Sequence, residues 1–184
     1  SERTRSVHTM ANKAQADVTI GHPGLRRLDD DYYAAVVMNM ILGSFAMGGR
    51  LGRSIREEKG MAYYAYSSLG AGVGPGPFVV RAGVHPDNVD AAVDCALEEI
   101  EKIRREPVSD QELDDARSAI VRSLPRNLEN NEGIAAALHS IEQYRLGLDY
   151  LERFADLIDA VDAEQILATA QKRLHPDRCA VAVA

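Results

Sequence analysis

Two side chains with complementary hydrogen-bonding chemistry, Arg56 and Tyr63, lie seven residues apart on either side of Gly60. The surrounding sequence, LGSFAMGGRLGRSIREEKGMAYYAYS from Leu42 to Ser67, predicts a glycine-rich turn, a short helix and a strand in direct succession. Arg56 would then lie at the end of the helix and Tyr63 at the start of the strand, so that a permanent cation and a phenol can converge on one point. Polar groups that converge from two elements indicate a binding site.

The elements that would position these side chains follow an α+β order. The first predicted elements are a strand from Ala14 to His22, a helix that follows the acids Asp29 to Asp31 and ends at Gly43, and a short helix that ends at Gly60. Two strands joined by Gly70 to Pro77 come next, followed by a helix from Pro86 to Arg105 and a helix from Ser109 that Pro125 kinks or ends. The last elements are a helix from about Asn131 to Leu146, two helices that begin at Asp149 and Asp162, and a terminal strand in RCAVAVA. This order is typical of a mostly antiparallel sheet covered by helices on one face. We expect residues 1–184 to form a single domain, with residues 1–12 disordered or a linker.

Composition excludes several classes of partner. The 184 residues carry a formal net charge of −7, which disfavours binding to nucleic acid. The longest apolar runs are shorter than the roughly 20 residues of a membrane span, so we expect a soluble protein of unknown localisation, cytoplasmic or periplasmic. Because the chain begins with Ser and has no apolar signal core, we expect a processed, tagged or excised piece. Cys95 and Cys179 lie in apolar stretches without CxxC spacing, and we expect buried free thiols.

The histidines offer no metal site. They are His8, His22, His85, His139 and His175, and none lies within four residues of another. A zinc-binding histidine pair on one helix face is therefore impossible. The nearest approach, His139 to Gln143, has Gln where the second histidine would be, so we interpret His139 as a residue of a helix surface or core rim. No metal ligand and no catalytic residue is predicted in this chain alone.

The motifs around Arg56 and Tyr63 resemble a known family. Gly21 to Pro23, Asp31 to Tyr33, Leu42-Gly43, Arg50-Leu51, Ile55-Arg56-Glu57, Gly60 and Ala62-Tyr63 match the pattern of the carboxyl-terminal homologous domain of the insulinase or pitrilysin-like zinc metallopeptidases, a group that includes mitochondrial processing peptidase. The resemblance runs from about Ala14 to the end of the chain. It departs from the pattern at Ser44 to Met47, at Gly48 to Arg50, where Ser-Arg is usual, and at Pro125.

This resemblance implies a half of a two-part peptidase. In the family, two homologous halves close like a clamshell around a peptide, the zinc lies in the first half, and the second half contributes an Arg and a Tyr seven residues apart. The match places these two on Arg56 and Tyr63 as substrate-binding residues, with zinc as a cofactor of a partner domain or subunit. The expected partners are this zinc-bearing homologous domain or subunit and a peptide substrate.

Three functions remain open at this point. The first is the substrate-binding half of a zinc metalloendopeptidase, which would not be catalytic alone. The second is a noncatalytic scaffold or assembly subunit of the same fold. The third is a free-standing α+β domain whose glycine loop holds a small acid. Without the resemblance, Arg56 as a cation paired with a neighbouring acid and Tyr63 as a packing residue would be favoured.

Overall fold

Alternating side chains give the sheet one apolar face and one more polar face. The computed structural model describes residues 2–11, 13–44 and 49–184. Their strands are β1 (Thr4–Val7), β2 (Ala16–Pro23), β3 (Ala62–Ala71), β4 (Pro75–Val84) and β5 (Ala180–Val183). In β2 and β4 every second side chain is buried. These are Ala16, Val18, Ile20 and His22 in β2 and Phe78, Val80, Ala82 and Val84 in β4. Helices pack on this apolar face, which confirms the predicted α+β class.

The strands lie in the order β1-β5-β2-β4-β3. The pairs β5–β2, β2–β4 and β4–β3 are antiparallel, as predicted. The pair β1–β5 is parallel, with Thr4 opposite Ala180 and Val7 opposite Val183. The expectation that residues 1–12 are disordered or a linker is therefore wrong for 4–7. All four side chains of β1 are exposed, so this strand is held by its backbone hydrogen bonds. Its sequence shows no apolar alternation from which a strand could be predicted.

The helices follow their predicted start signals. They are α1 (Tyr32–Asn39), α2 (Val89–Arg105), α3 (Asp110–Asn127), α4 (Asn131–Gln143), α5 (Tyr150–Asp159) and α6 (Ala163–Arg173), with wider π-helical turns at Met40–Ser44 and Gly52–Glu58 and a 3₁₀ turn at Pro86–Asn88. Ser109 forms a capping box with Glu112, and Asp162 forms one with Gln165. In α2 the predicted apolar stripe is buried against the sheet. It comprises Val89, Val93, Leu97, Ile100 and Ile103.

Three helix boundaries differ from the predictions. The helical turns after α1 continue through Gly43 to Ser44. Pro125 lies inside α3, which ends only at Asn127, because a proline in the last turn removes one backbone donor without breaking the preceding turns. Helix α4 ends at Gln143 and not near Leu146, because Arg145 and then Gly147 take positive φ angles of 50° and 93°.

The helices differ sharply in how much they bury. Helix α2 contributes nine buried residues, whereas the described side chains of α4 and α5 contribute one each, Ile141 and Ile158. We call α4 and α5 the outlying helices, and the sheet with α1, α2 and α6 the core layer. Both cysteines are buried free thiols, as expected. No helix in the described part of the chain combines the length and hydropathy needed to cross a membrane.

Candidate functional site

The helix Gly52–Glu58, called here the Arg56 helix, is anchored by buried residues that precede Arg56. Leu51 and Ile55 have no exposed surface. Ser54 Oγ lies 3.0 Å from Cys95 Sγ of α2, and Lys59 Nζ donates to the same sulfur at 3.3 Å. Arg56 itself is half-buried. Because its neighbours are fixed against α2 and the sheet, the position of the Arg56 backbone is set by the core layer.

A glycine turn redirects the chain from the Arg56 helix into β3. The Gly60 amide donates to the Arg56 carbonyl at 3.1 Å, and the Met61 amide donates to the Ile55 carbonyl at 3.0 Å. Gly60 has a φ of 61°, a conformation that side chains with a Cβ adopt at a cost. The predicted break at Gly60 is thus confirmed, and it brings the strand that carries Tyr63 directly after the helix that carries Arg56.

Tyr63 occupies an irregularity in the β3–β4 ladder. Ala62 lies opposite Val84 and Tyr64 lies opposite Gly83, so Tyr63 is an extra residue without a partner on β4. Such a bulge re-aims a side chain and increases the local twist of the strand. Tyr63 is accordingly 69% exposed at the edge strand of the sheet, where a ligand can reach its hydroxyl.

The next residue, Tyr64, forms a hydrogen bond across the sheet to β2. Its hydroxyl donates to Asp17 Oδ1 on β2 at 2.7 Å, and Asp17 also accepts from Lys13 at 2.9 Å. Between them lies Gly83 on β4, where a Cβ would collide with the Tyr64 ring. The Lys13 ammonium and then the Tyr64 hydroxyl lower the pKa of Asp17 to about 2, while partial burial and then the Asp17 carboxylate raise the pKa of Tyr64 to about 12. The Tyr64 contact therefore fixes β3 immediately beside the bulge.

Two glycines allow the turn before the Arg56 helix to approach β3 closely. A Cβ on Gly43 would lie 2.6 Å from the Ser67 amide nitrogen, and one on Gly49 would lie 2.7 Å from the Gly43 Cα. Neither position has room for a side chain. The predicted glycine-rich turn thus serves close backbone packing at its two ends. The sequence departures at 45–48 lie outside the described residues.

Arg50 forms an ion pair with Glu112 of α3. Its Nε and Nη2 donate to the two carboxylate oxygens of Glu112 at 2.7 and 3.0 Å. Glu112 also accepts from the Ser109 amide at 3.0 Å, as part of the capping box of α3. The Arg50 hydrogen bonds are the first cause that lowers the pKa of Glu112 to about 2. This contact joins the start of the Arg56 helix to α3, whereas Arg53 is exposed.

The histidines form no metal centre in the described part of the chain. His139 is exposed on α4, in agreement with its interpretation as a surface residue. His22 and His175, which are 153 positions apart, come together with ring centroids 5.4 Å apart, a contact that the sequence did not predict. Burial lowers the pKa of both imidazoles. Within residues 2–11, 13–44 and 49–184, no three His, Cys, Asp or Glu side chains are grouped to hold a metal ion.

A second polar cluster, around Arg27, was not predicted. The guanidinium carbon lies 4.0 Å from the centroid of the Tyr32 ring and 5.3 to 5.8 Å from three further tyrosine rings, those of Tyr33, Tyr144 and Tyr150. Two of these rings are distant in sequence, because Tyr144 follows the end of α4 and Tyr150 is the first residue of α5. Only the adjacent pair Tyr32-Tyr33 could have suggested an aromatic cluster from the sequence. We call these five residues the Arg27 cluster.

Comparison with known families identifies the chain. Residues 1–120 match the family profile described as the Peptidase M16 inactive domain. The match covers more than half of the chain, and the chain therefore belongs to the M16 peptidase family as its inactive domain. This result confirms the predicted resemblance to the zinc-free half of these metallopeptidases. The closer resemblance to mitochondrial processing peptidase stays a prediction.

Curated relatives are zinc proteases by name. The chain is 33% identical over 116 residues to an uncharacterized zinc protease of Streptomyces coelicolor, covering 63% of this chain and 25% of the relative. It is 23% identical over 163 residues to the uncharacterized zinc protease YmxG of Bacillus subtilis, covering 89% of this chain and 40% of the relative. The chain thus spans between a quarter and two fifths of the length of these relatives.

Solved structures share the fold. A peptidase M16 inactive domain from Pseudomonas fluorescens superposes with a TM-score of 0.87 at 25% identity, covering 99% of this chain and 43% of that one. A chain in the structure of Complex III2 from Candida albicans superposes with a TM-score of 0.80 at 15% identity, covering 99% of this chain and 44% of that one. At this lower identity the second likeness shows the fold alone.

Proposed function

We propose that this chain is the substrate-binding half of a zinc metalloendopeptidase, in which Arg56 and Tyr63 hold the peptide backbone. The zinc would be held by another domain or subunit. Support comes from membership in the inactive-domain class of the M16 family and from relatives that are named zinc proteases and are longer than this chain.

One observation carries the assignment of the site. The Gly60 turn joins a helix that carries the half-buried Arg56 to a strand whose bulge exposes Tyr63. The buried Leu51 and Ile55 fix the backbone before Arg56, and the Tyr64–Asp17 hydrogen bond fixes the backbone after Tyr63. Rigid support with an exposed tip is the arrangement that a binding site requires. A purely structural tyrosine would be expected to pack its ring, and Tyr63 does not.

The chemistry of the two side chains suits a peptide backbone. The Arg56 guanidinium is permanently charged and offers several N–H donors to a carbonyl oxygen or a carboxylate. The Tyr63 hydroxyl can donate to a carbonyl oxygen or to the oxyanion that develops when the carbonyl is attacked. Neither side chain would activate water unaided. The described residues do not fit a zinc site, and no metal step is assigned to this chain.

The test uses the assembly of this chain with its zinc-bearing counterpart and measures peptide cleavage. We expect Tyr63→Phe and Arg56→Ala each to lower kcat/KM by about 10- to 100-fold, because each removes donors to the reacting carbonyl or its neighbour. Matched controls are Tyr66→Phe on the same strand and Arg53→Ala one turn earlier on the Arg56 helix. Both should stay within about twofold of the unchanged assembly.

The same experiment separates the peptidase half from the noncatalytic scaffold. Full cleavage after both Tyr63→Phe and Arg56→Ala would show that these two residues do not bind the substrate. An assembly that forms with the zinc-bearing counterpart and cleaves no peptide would favour the scaffold.

A further inference from the structure

Arg27 is a buried cation without a carboxylate partner. Its residue surface is 8% exposed, and no acidic side chain in the described part of the chain forms an ion pair with it. Both of its side-chain hydrogen bonds come from Nη2, which donates to the Tyr150 hydroxyl at 2.9 Å and to the Tyr33 hydroxyl at 3.4 Å. The Nε and Nη1 donors of Arg27 have no partner among the described residues. A buried guanidinium normally pairs with an acid, because burying a lone charge is costly.

The neighbouring phenols do not supply the missing negative charge. Burial is the first cause that raises the pKa of both Tyr32 and Tyr150 above its ordinary value, so both rings are neutral at physiological pH. The tyrosine faces stabilise the cation through their quadrupoles, most closely Tyr32 at 4.0 Å. The Arg27 cluster therefore holds a positive charge in place and leaves donors available.

Arg27 lines a cavity of about 630 Å³ that the end of α3 and the outlying helices also border. Arg27, Tyr32 and Tyr150 form one part of its lining. Another part is apolar and consists of Leu124, Leu128, Leu146, Leu151 and Phe154. The volume lies within the range of small-molecule sites, and the lining combines an apolar wall with a few convergent polar groups.

The charge in the cavity favours an anion. Two arginines, Arg27 and Arg126, line it against one acid, Glu132. Glu132 and Arg126 are both exposed, so water screens their charges. Arg27 is buried, and its positive charge is therefore the least screened charge in the lining. This local balance contrasts with the net charge of −7 of the whole chain.

We propose that this cavity binds an apolar carboxylate, with the carboxylate on Arg27 and the apolar part against the leucines and Phe154. A carboxylate oxygen accepts a charge-assisted hydrogen bond from a guanidinium N–H, and either of the unused donors of Arg27, Nε or Nη1, can supply it. The ligand can be a free alkanoate or the carboxyl terminus of a peptide, and both present the same chemistry to Arg27. This site is independent of Arg56 and Tyr63, and its test does not depend on the proposed peptidase role.

The test is titration calorimetry of the 184-residue chain with two acids and their amides. Octanoate probes a free alkanoate, and N-acetyl-leucyl-phenylalanine probes a peptide carboxyl terminus. We expect at least one acid to bind with a submillimolar Kd and its amide to bind at least tenfold more weakly, since the amide lacks the charge. Binding of octanoate alone would identify a free alkanoate, and binding of the dipeptide alone would identify a peptide terminus.

Two variants locate the binding. Arg27→Gln should weaken it at least tenfold, and Ala137→Leu, which fills the cavity and leaves Arg27 unchanged, should do the same. The matched control Arg122→Gln removes an exposed arginine outside the cavity and should leave the Kd unchanged. If Arg27→Gln fails to fold, Ala137→Leu and the comparison of acid with amide decide the result. Acids that bind no more tightly than their amides, or a Kd that Ala137→Leu does not change, would overturn the proposal.

Discussion

The core layer and the outlying helices are stabilised by different forces. Helix α2 buries nine residues, Val84 and Phe78 of β4 lie beneath the helices, and the Arg56 helix is anchored there by Leu51 and Ile55. Helices α4 and α5 bury one described residue each. Apolar burial contributes about 25 cal/mol per Å², whereas an exposed ion pair contributes about 0 to 1 kcal/mol. The outlying helices therefore depend more on caps, hydrogen bonds and the Arg27 cluster.

This difference explains where the two candidate sites lie. Arg56 and Tyr63 project from the core layer, where dense packing fixes the backbone that supports them. The Arg27 cavity lies between the end of α3 and the outlying helices, where few side chains are buried and space is left for a ligand. Rigid support and available volume are thus provided by different parts of one fold.

The largest expected effect is a loss of core packing. Phe78 is 1% exposed in β4, and Phe78→Ala should lower the free energy of unfolding by about 3–5 kcal/mol, because it removes buried surface and leaves a cavity. Leu138→Ala on α4, where the side chain is 56% exposed, should cost less than about 1 kcal/mol. Urea unfolding measures both. Equal losses would contradict the contrast between the two regions.

The next effect concerns the close contact beside the Tyr63 bulge. Gly83→Ala should destabilise the chain by about 2–3 kcal/mol, because the added Cβ collides with the Tyr64 ring and the Gln15 amide. The control is Gly74→Ala in the β3–β4 loop, where a Cβ meets nothing within 4 Å. Thermal unfolding should show a lower Tm for Gly83→Ala and no loss for the control. An unchanged Tm for both variants would exclude the Tyr64 contact as a constraint on β3.

A pH dependence should appear at the junction between the Arg56 helix and α3. Arg50 is the first cause that lowers the pKa of Glu112 from 4.5 to about 2. Because the folded pKa is depressed, the contribution is present above about pH 4.5 and is lost as the pH falls towards 2. Glu112→Gln should cost roughly 1–2 kcal/mol at pH 7, allowing for solvent screening, and should flatten the decline of stability in this window.

The control for this pH dependence is Glu129→Gln, which changes an exposed carboxylate in the loop between α3 and α4. Urea titrations at several pH values should give the same slope for this variant and the unchanged chain. Parallel slopes for Glu112→Gln and the unchanged chain would show that the Arg50 contact does not stabilise the fold.

The smallest effect should come from a single hydroxyl in the Arg27 cluster. Tyr150→Phe keeps the ring near the guanidinium and removes the acceptor that lies 2.9 Å from Arg27 Nη2. We expect a loss of about 1 kcal/mol in the free energy of unfolding. Tyr63→Phe, on a side chain that is 69% exposed, should change stability by less than about 0.5 kcal/mol. A larger loss for Tyr63→Phe would indicate that its hydroxyl supports the fold.

Local patterns predicted most of the core layer. The alternation in β2 and β4, the three- and four-residue spacing in α2 and the capping box at Ser109 each depend on neighbours within a few positions. The same local logic located the break at Gly60 and hence the succession of Arg56 and Tyr63. The family resemblance, which the profile match confirms, gave these two residues a proposed role.

Other features could not be predicted because they depend on distant residues. The Arg27 contact with Tyr150 spans 123 positions, and the His22–His175 contact spans 153. The strand β1 has no apolar alternation, since its stability comes from backbone pairing with the other end of the chain. The bulge at Tyr63 was not predicted, because only the register with β4 shows that Tyr63 is the extra residue.

The sequence by itself determined the α+β order, the family, and the pair of residues on either side of Gly60, because periodicity, caps and glycine positions are local properties of the chain. Only the tertiary structure decided that Tyr63 is exposed in a bulge while Tyr64 is bound to Asp17, and that Arg27 is buried among four rings beside a cavity. The physical reason is that exposure, register and the partners of a buried charge are set by which distant segments pack together.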